Sequence, residues 1–274
     1  MIDKELLTYF LKLGLSTRKI AELIGESKSN VQYTVQKYGL TDLYYHKKRE
    51  PIAFNKIDTP EKAYITGFIL GDGCIINNGI VSITVASRDR EILEFITKEL
   101  NAEISDSYKF DRDKRIFPHS STTRVIRDIT KFIAGPLKVD RHYPIVPYQL
   151  EHYLLLGFFD ADGCITWGRR KDRNRIWQKV QFKSAYKILY GVQQVLLKRL
   201  NIATIIHPVK DENCYELCFS NKRDVLIFLS FIYQDPNFII LKRKYQKACA
   251  LRLELEENGE TLAFPGQYRA EPTE

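Results

Sequence analysis

Two aspartates, Asp72 and Asp162, each stand just before the glycine that ends an apolar helical run. Each run also carries small residues four apart, Gly67 and Gly71 in the first and Gly157 and Ala161 in the second. Small side chains at i and i+4 leave a flat stripe on which two helices can pack with their backbones close. If the stripes face one another, the helix ends coincide and the two carboxylates meet where both macrodipoles are already negative. A hard divalent cation with oxygen ligands, Mg²⁺ first, relieves that repulsion. Held over a phosphodiester, such a pair is a phosphoryl-transfer arrangement, in which the metal polarises the phosphate, lowers the pKa of bound water and stabilises the leaving oxygen. One copy alone reads as tight helix packing with the aspartate as an exposed cap. Two copies in matched contexts favour chemistry.

The elements that must position these residues form an internal repeat. Thr59-Pro60-Glu61 starts the first helix by N-cap and Pro-at-N1 rules and Gly73 ends it; Pro147 opens its counterpart, which closes at Gly163. Each helix is followed by Cys-Ile, a strand pair, an amphipathic helix ending in Leu-Asn, a second strand pair (about 104–119 and 203–219) and a closing helix. The copies are offset by 90 residues at the aspartates (162 − 72) and by 100 at the asparagines (201 − 101), so the second has about ten extra residues, placed mainly in the loop GRRKDRNR. The reading is α+β: two pseudo-symmetric α-β-β-α-β-β-α repeats, over 59–135 and 148–252, joined by a Pro-containing connector at 136–147. A polar tail at 253–274 lacks any apolar period.

The first forty residues carry three short helical patterns. Leu6, Leu7, Phe10 and Leu11 form one apolar stripe; Ser16 caps a second helix with Ile20, Ala21 and Ile24 inward; Gly25 closes it and Ser27 opens a third with Val31, Thr34 and Val35 inward. The third helix would then present Lys28, Ser29, Gln32, Tyr33 and Gln36, as in a helix-turn-helix that reads DNA. A protein-docking module has the same pattern. Residues 41–58 form a basic linker in which Lys47, Lys48 and Arg49 can lie on phosphates or in a solvated tether.

Across 274 residues the formal charge is +8 and the pI about 9.1, which points to a polyanionic partner, nucleic acid before membrane. No apolar run approaches the roughly 20 residues that span a bilayer, and the N-terminus lacks a signal-peptide layout, so a soluble, intracellular (cytoplasmic) protein is expected. Five scattered cysteines without zinc-site spacing read as buried thiols in a reducing compartment. None of the five histidines is given a catalytic role.

The sheets can be read from alternation. Over 175–183, Arg175, Trp177, Lys179, Gln181 and Lys183 share one side, while Ile176, Gln178, Val180 and Phe182 share the other, leaving a cationic face for DNA. The preceding loop offers Arg169, Arg170, Lys171 and Arg173 to phosphates and guanine edges. Over 78–86, Val81, Ile83 and Val85 point inward, with Ser82, Thr84 and Ala86 outward.

The segments Ile65-Thr66-Gly67-Phe68-Ile69-Leu70-Gly71-Asp72-Gly73 and Leu155-Leu156-Gly157-Phe158-Phe159-Asp160-Ala161-Asp162-Gly163 resemble the paired motifs of monomeric LAGLIDADG homing endonucleases over about residues 55–252. The resemblance implies two four-stranded sheets forming a saddle over double-stranded DNA, a long and weakly palindromic target, a monomer, and cleavage leaving short 3′ overhangs. It also implies a metal site of Asp72, Asp162, Gly71 and Ala161, with Lys183 and Gln181 in catalytic roles, and Asp160 turned toward the helix interface or its N-terminal neighbours. Mg²⁺ is the expected cofactor; Mn²⁺ can substitute, and Ca²⁺ supports binding without efficient cleavage. In the family a lysine near the end of this strand lies beside the cleavage site. Aligning the strand ends at Ser87 and Ser184 sets Lys183 against Ala86, so the two halves of the site are expected to be unequal. Two rivals remain: a transcription regulator with a LAGLIDADG core that binds DNA without cutting, and an intron-splicing maturase working on an A-form helix.

Overall fold

The computed structural model describes residues 2–13, 15–40, 52–53, 56–76, 80–110, 116–127, 137–169, 176–210, 214–235 and 237–256. They divide into two compact units, Met1–Pro51 and Ile52–Glu274.

The first unit holds α1 (Lys4–Lys12), α2 (Thr17–Ile24) and α3 (Lys28–Lys37). The Ser16 hydroxyl accepts from Lys19 N, the Ser27 hydroxyl from Asn30 N, and Gly25 closes α2 at φ 69°, a conformation that favours glycine. Leu7, Leu11, Ile20, Ala21, Val31 and Val35 form its core. Leu6, read as part of the apolar stripe, is exposed, because a helix this short buries only one narrow face.

In the second unit, the Thr59 hydroxyl accepts from Lys62 N and Pro60 takes the first position of α4 (Pro60–Asp72). Strands β2 (Gly73–Ile76) and β3 (Ile80–Ala86), helix α5 (Arg90–Glu99), and strands β4 (Ser105–Phe110) and β5 (Ile116–Arg127) follow. Four strands of the first sheet run β2-β3-β5-β4, each pair of them antiparallel. A short strand β1 (Ile52–Ala53) joins β5 in parallel, within the stretch read as linker. β5 extends eight residues beyond the expected end at 119; its run of Thr122, Thr123, Val125 and Ile126 is β-branched and continues pairing with β3 and β1. The closing helix expected after it lies outside the described residues.

The second copy comprises α6 (Glu151–Asp162), β6 (Gly163–Arg169), β7 (Ile176–Ser184), α7 (Tyr186–Leu200), β8 (Ile206–Pro208), β9 (Tyr215–Phe219) and α8 (Lys222–Ile232). Its sheet order, β6-β7-β9-β8, repeats the first. Pro147 opens a 3-10 turn over Tyr148–Leu150, so α6 itself begins four residues later than Pro147. The first and second copies place Asn101 and Asn201 at the same left-handed helix end, with φ 45° and 54°. A further helix, α9 (Lys242–Glu256), follows; Leu251 and Leu255 are buried, so apolar periodicity runs past 252. One continuous core draws on both copies, including Phe68, Ile69, Leu154, Phe158, Phe159 and Phe182.

The cysteine expectation is corrected. Cys74 and Cys164 are exposed and Cys214, Cys218 and Cys249 half-buried, all as free thiols. Each motif's final glycine is the inward residue of its strand, so the cysteine that follows must face out.

Candidate active site

The small residues of α4 and α6 bring the two backbones into contact. A Cβ on Gly67 would lie 2.0 Å from the carbonyl oxygen of Leu154, and one on Gly157 would lie 2.0 Å from that of Tyr64. A Cβ on Gly71 would fall 2.4 Å from the Cβ of Ala161 and 3.2 Å from the carboxyl carbon of Asp162. Asp72, the next residue, is thus held beside Ala161 and Asp162 at the paired helix ends. Asp72 is exposed and Asp162 half-buried, with the Ser184 hydroxyl 3.3 Å from its Oδ2. The described donors here are carboxylate and backbone carbonyl oxygens, the set that suits a hard divalent cation. No cluster of three or more His, Cys, Asp or Glu side chains occurs among the described residues.

Beneath the acids are two buried cations that the amino-acid pattern does not reveal. Arg141, 2% exposed, donates from Nη1 to the carbonyls of Ile69 (3.1 Å) and Gly73 (2.9 Å). Lys244, 6% exposed, donates to those of Phe159 (2.6 Å), Asp160 (2.9 Å) and Gly163 (2.6 Å). The shared acceptors stand 90 residues apart (159 − 69 and 163 − 73), so one device occurs twice. Each cation satisfies the orphan carbonyls at a helix end and offsets its negative macrodipole next to a carboxylate. Burial lowers both pKa values, that of Lys244 to about 8 against the pull of Asp160. Arg141 and Lys244 are themselves 103 residues apart (244 − 141), so a search at the motif offset does not find them.

Asp160 turns to the facing helix, as expected. It is 2% exposed and accepts from the Tyr64 hydroxyl (2.9 Å) and from Leu241 N at the start of α9 (3.1 Å). Burial pushes its pKa from 3.8 to about 6, with Lys244 opposing. Between about pH 4 and 6 the folded chain therefore binds more protons at this carboxyl than the unfolded chain, and stability falls as pH rises. Asp160→Asn should remove that slope, each pKa unit corresponding to about 1.4 kcal/mol. Urea unfolding at pH 4 and pH 7 tests this; an unchanged pH dependence would mean the carboxyl is not held protonated.

On β7 the alternation is as expected: Trp177 and Lys183 are exposed, Lys179 and Gln181 half-buried, and Gln178, Val180 and Phe182 buried. Gln178 donates to the carbonyl of Ser220 at 2.8 Å, which accommodates a polar residue on the inner face. The outward face also holds an acid. Glu216 on β9 accepts from Lys179 (2.7 Å) and Gln181 (3.0 Å) and pairs in register with Lys183. The Lys179 hydrogen bond pulls the Glu216 pKa down. Arg169, expected on phosphate, is ion-paired to Glu254 at 2.5 Å, since α9 returns beside β6. In the first repeat Val81, Ile83 and Val85 are buried, with Ser82 and Thr84 half-buried on the other face. On α3, Lys28, Ser29, Gln32 and Tyr33 are exposed. Arg170, Lys171, Arg173, Arg175, Lys47, Lys48 and Arg49 lie outside the described residues.

The alignment of Lys183 with Ala86 is corrected by sheet register. Gly73 pairs with Ile83 and Gly163 with Phe182, so Thr84 is the counterpart of Lys183 and Ser82 that of Gln181. The shared serine misleads because β3 ends in a 3-10 turn, Ser87–Asp89, whereas Ser184 still belongs to β7. The inequality survives with a different residue: a threonine faces the position where the other half has a lysine.

Comparison with known proteins agrees with this architecture. Residues 150–233 match the family model of the LAGLIDADG-like domain. No curated protein matches the chain in sequence. The homing endonuclease I-WcaI bound to its DNA recognition sequence superposes with a TM-score of 0.52 at 14% identity, over 74% of this chain and 91% of that one. A point mutant of I-SmaMI gives 0.52 at 14% identity, over 73% and 92%, and I-SmaMI bound to uncleavable DNA gives 0.50 at 13%, over 74% and 92%. The second repeat is thus similar to the LAGLIDADG-like domain, and the chain has the α+β fold seen in LAGLIDADG homing endonucleases.

Proposed function

We propose that this chain is a site-specific endonuclease that hydrolyses one phosphodiester in each strand of a long, weakly palindromic DNA duplex, leaving staggered ends. The observation that carries the reading is the pair of aspartates at two helix ends in backbone contact, each backed by a buried cation. Acids placed there repel, and repulsion built into a rigid site is tolerated when a ligand cation relieves it. The oxygen donors fit Mg²⁺: Asp72 and Asp162 would hold it, with the carbonyls of Gly71 and Ala161 beside them. When bound, the metal supplies Lewis acidity toward phosphate and an acidified water. Gln181 and Lys183, on the outward face of β7, would orient water and balance charge in one half of the site. The chain would act as a monomer, because it already contains both copies.

The fold of I-WcaI and I-SmaMI, whose structures hold DNA, supports a nucleic-acid role, as does the charge of +8. Among the described residues no helix is long and apolar enough to cross a membrane. The test is incubation of the chain with a library containing a bound site, in Mg²⁺, Ca²⁺ and EDTA. Staggered ends in Mg²⁺, with a shifted but intact duplex in Ca²⁺, are expected. A shift that is identical in all three, with DNA always intact, would instead identify a regulator that only binds.

The N-terminal unit would add affinity but no chemistry, through the exposed face of α3 and Lys47–Arg49. Deleting residues 1–50 should raise the Kd several-fold and flatten its dependence on salt, by about 0.9 in log–log slope for each phosphate no longer neutralised. Unchanged affinity and footprint would show that the unit docks a protein.

A further inference from the structure

At one register position of the candidate site the second repeat has a cation, Lys183, where the first has Thr84. Beside Thr84 opens a cleft of about 300 Å³, whose lining includes Asp72, Thr84, Ala86, Asp89 and Arg243. Arg243 comes from the first turn of α9, beyond the second repeat. Its Nε donates to Oδ1 and Oδ2 of Asp89 at 2.9 and 3.1 Å, and its Nη2 to Oδ2 at 3.0 Å. Asp89 is 8% exposed in the turn that ends β3, so the carboxylate is fixed. A guanidinium held bidentately along one edge has lost its rotamer freedom, and its remaining N–H groups are directed without further entropy cost. Among the described residues Nη1 donates to nothing, and the side chain stays 42% exposed. The hydrogen bonds to Asp89 favour its charged form against partial burial, with smaller favourable contributions from Asp160 and Asp72.

We infer that Arg243 is the cation of the first half of the site and contacts a phosphate oxygen of the strand cut beside Asp72, the counterpart of Lys183 in the other half. This rests on the endonuclease reading above. Arg141 and Lys244 occupy matched places, so the residue matched to Arg243 is Asp140, which is exposed and acidic. The two halves therefore draw their cations from different elements, the second from strand β7 and the first from helix α9. The carboxylate of Asp89 does not cancel this role: it fixes the guanidinium by one edge and leaves the other edge for an anion. Arg88 lines the same cleft but lies in the turn, without such a clamp among the described residues.

The test compares the wild-type chain, Arg243→Ala, and Arg243→Ala combined with Thr84→Lys on duplex labelled separately on each strand. Arg243→Ala should slow cutting of one strand by about 10²-fold and leave the other within about threefold. Thr84→Lys in that background should restore at least about tenfold of the missing rate on the same strand. A second readout needs no cleavage: in EDTA, Arg243→Ala should reduce the log–log salt slope of DNA affinity by about 0.9. Equal slowing of both strands with a lowered Tm, or an unchanged salt slope, would overturn the assignment and leave Arg243 as a strut to Asp89. If the wild-type chain cuts neither strand, the endonuclease reading falls, while the salt slope still decides whether Arg243 holds phosphate.

Discussion

Asp72→Asn or Asp162→Asn should abolish double-strand cutting, while DNA affinity stays within about tenfold (roughly 1.4 kcal/mol) of the wild-type chain. The two carboxylates stand at the C-terminal ends of helices whose backbones touch, and among the described residues no cluster of three or more His, Cys, Asp or Glu side chains forms there. Removing one negative charge relieves repulsion from the helix C-terminus but also loses attraction to a buried cation, that of Asp162 to Arg141 or of Asp72 to Lys244. With the two effects opposed, the inactive variants are expected to stay close to the stability of the wild-type chain. That combination separates a catalytic acid from a structural one. The Ser184 hydrogen bond is retained by an asparagine at position 162, whose amide oxygen still accepts. Plasmid cleavage scored beside urea unfolding makes the comparison; a variant that still linearises DNA at the wild-type rate would exclude its aspartate as a metal ligand.

The other large effect is on the fold itself. Gly157→Ala adds one methyl group, 2.0 Å from the carbonyl oxygen of Tyr64 and 3.0 Å from the nitrogen of Phe68. Gly67→Ala does the same against Leu154 and Phe158 on the opposite helix, with separations of 2.0 Å to oxygen and 2.8 Å to nitrogen. All four neighbours are backbone atoms within helices, so no side chain can swing aside. The helices must separate, and each substitution should cost about 3 kcal/mol or more, at or beyond the upper end for overpacking. The double variant should cost less than the sum of the two, since one separation accommodates both methyls. Separation also moves Asp72 away from Asp162, so activity should disappear even where the chain remains folded. Equilibrium unfolding of the single and double variants checks this, and a destabilisation below about 1 kcal/mol would show that the interface yields more readily than its geometry implies.

Much of this arrangement is written locally. The caps at Ser16, Ser27 and Thr59, the small residues of α4 and α6, and the inward and outward parity of β3 and β7 follow from neighbours within a turn or two. Asp160 could be separated from Asp162 because two residues on a helix point to different faces. Partnership across the chain is a different kind of fact. Register chose Thr84 rather than Ala86, since pairing depends on where each hairpin turns and not on where the serines fall. The run Leu241-Lys242-Arg243-Lys244 looks like a solvated charge cluster in the sequence. In the fold, Lys242 meets Glu91, Arg243 meets Asp89, and Lys244 is buried under a helix end. Glu216 likewise joined the basic face of β7 from a strand 37 residues beyond Lys179. A charged side chain has no periodicity to announce its partner. Whether it faces water, an acid or the carbonyls at a helix end is decided by which distant segment the core brings beside it, and that choice exists only once those segments have packed.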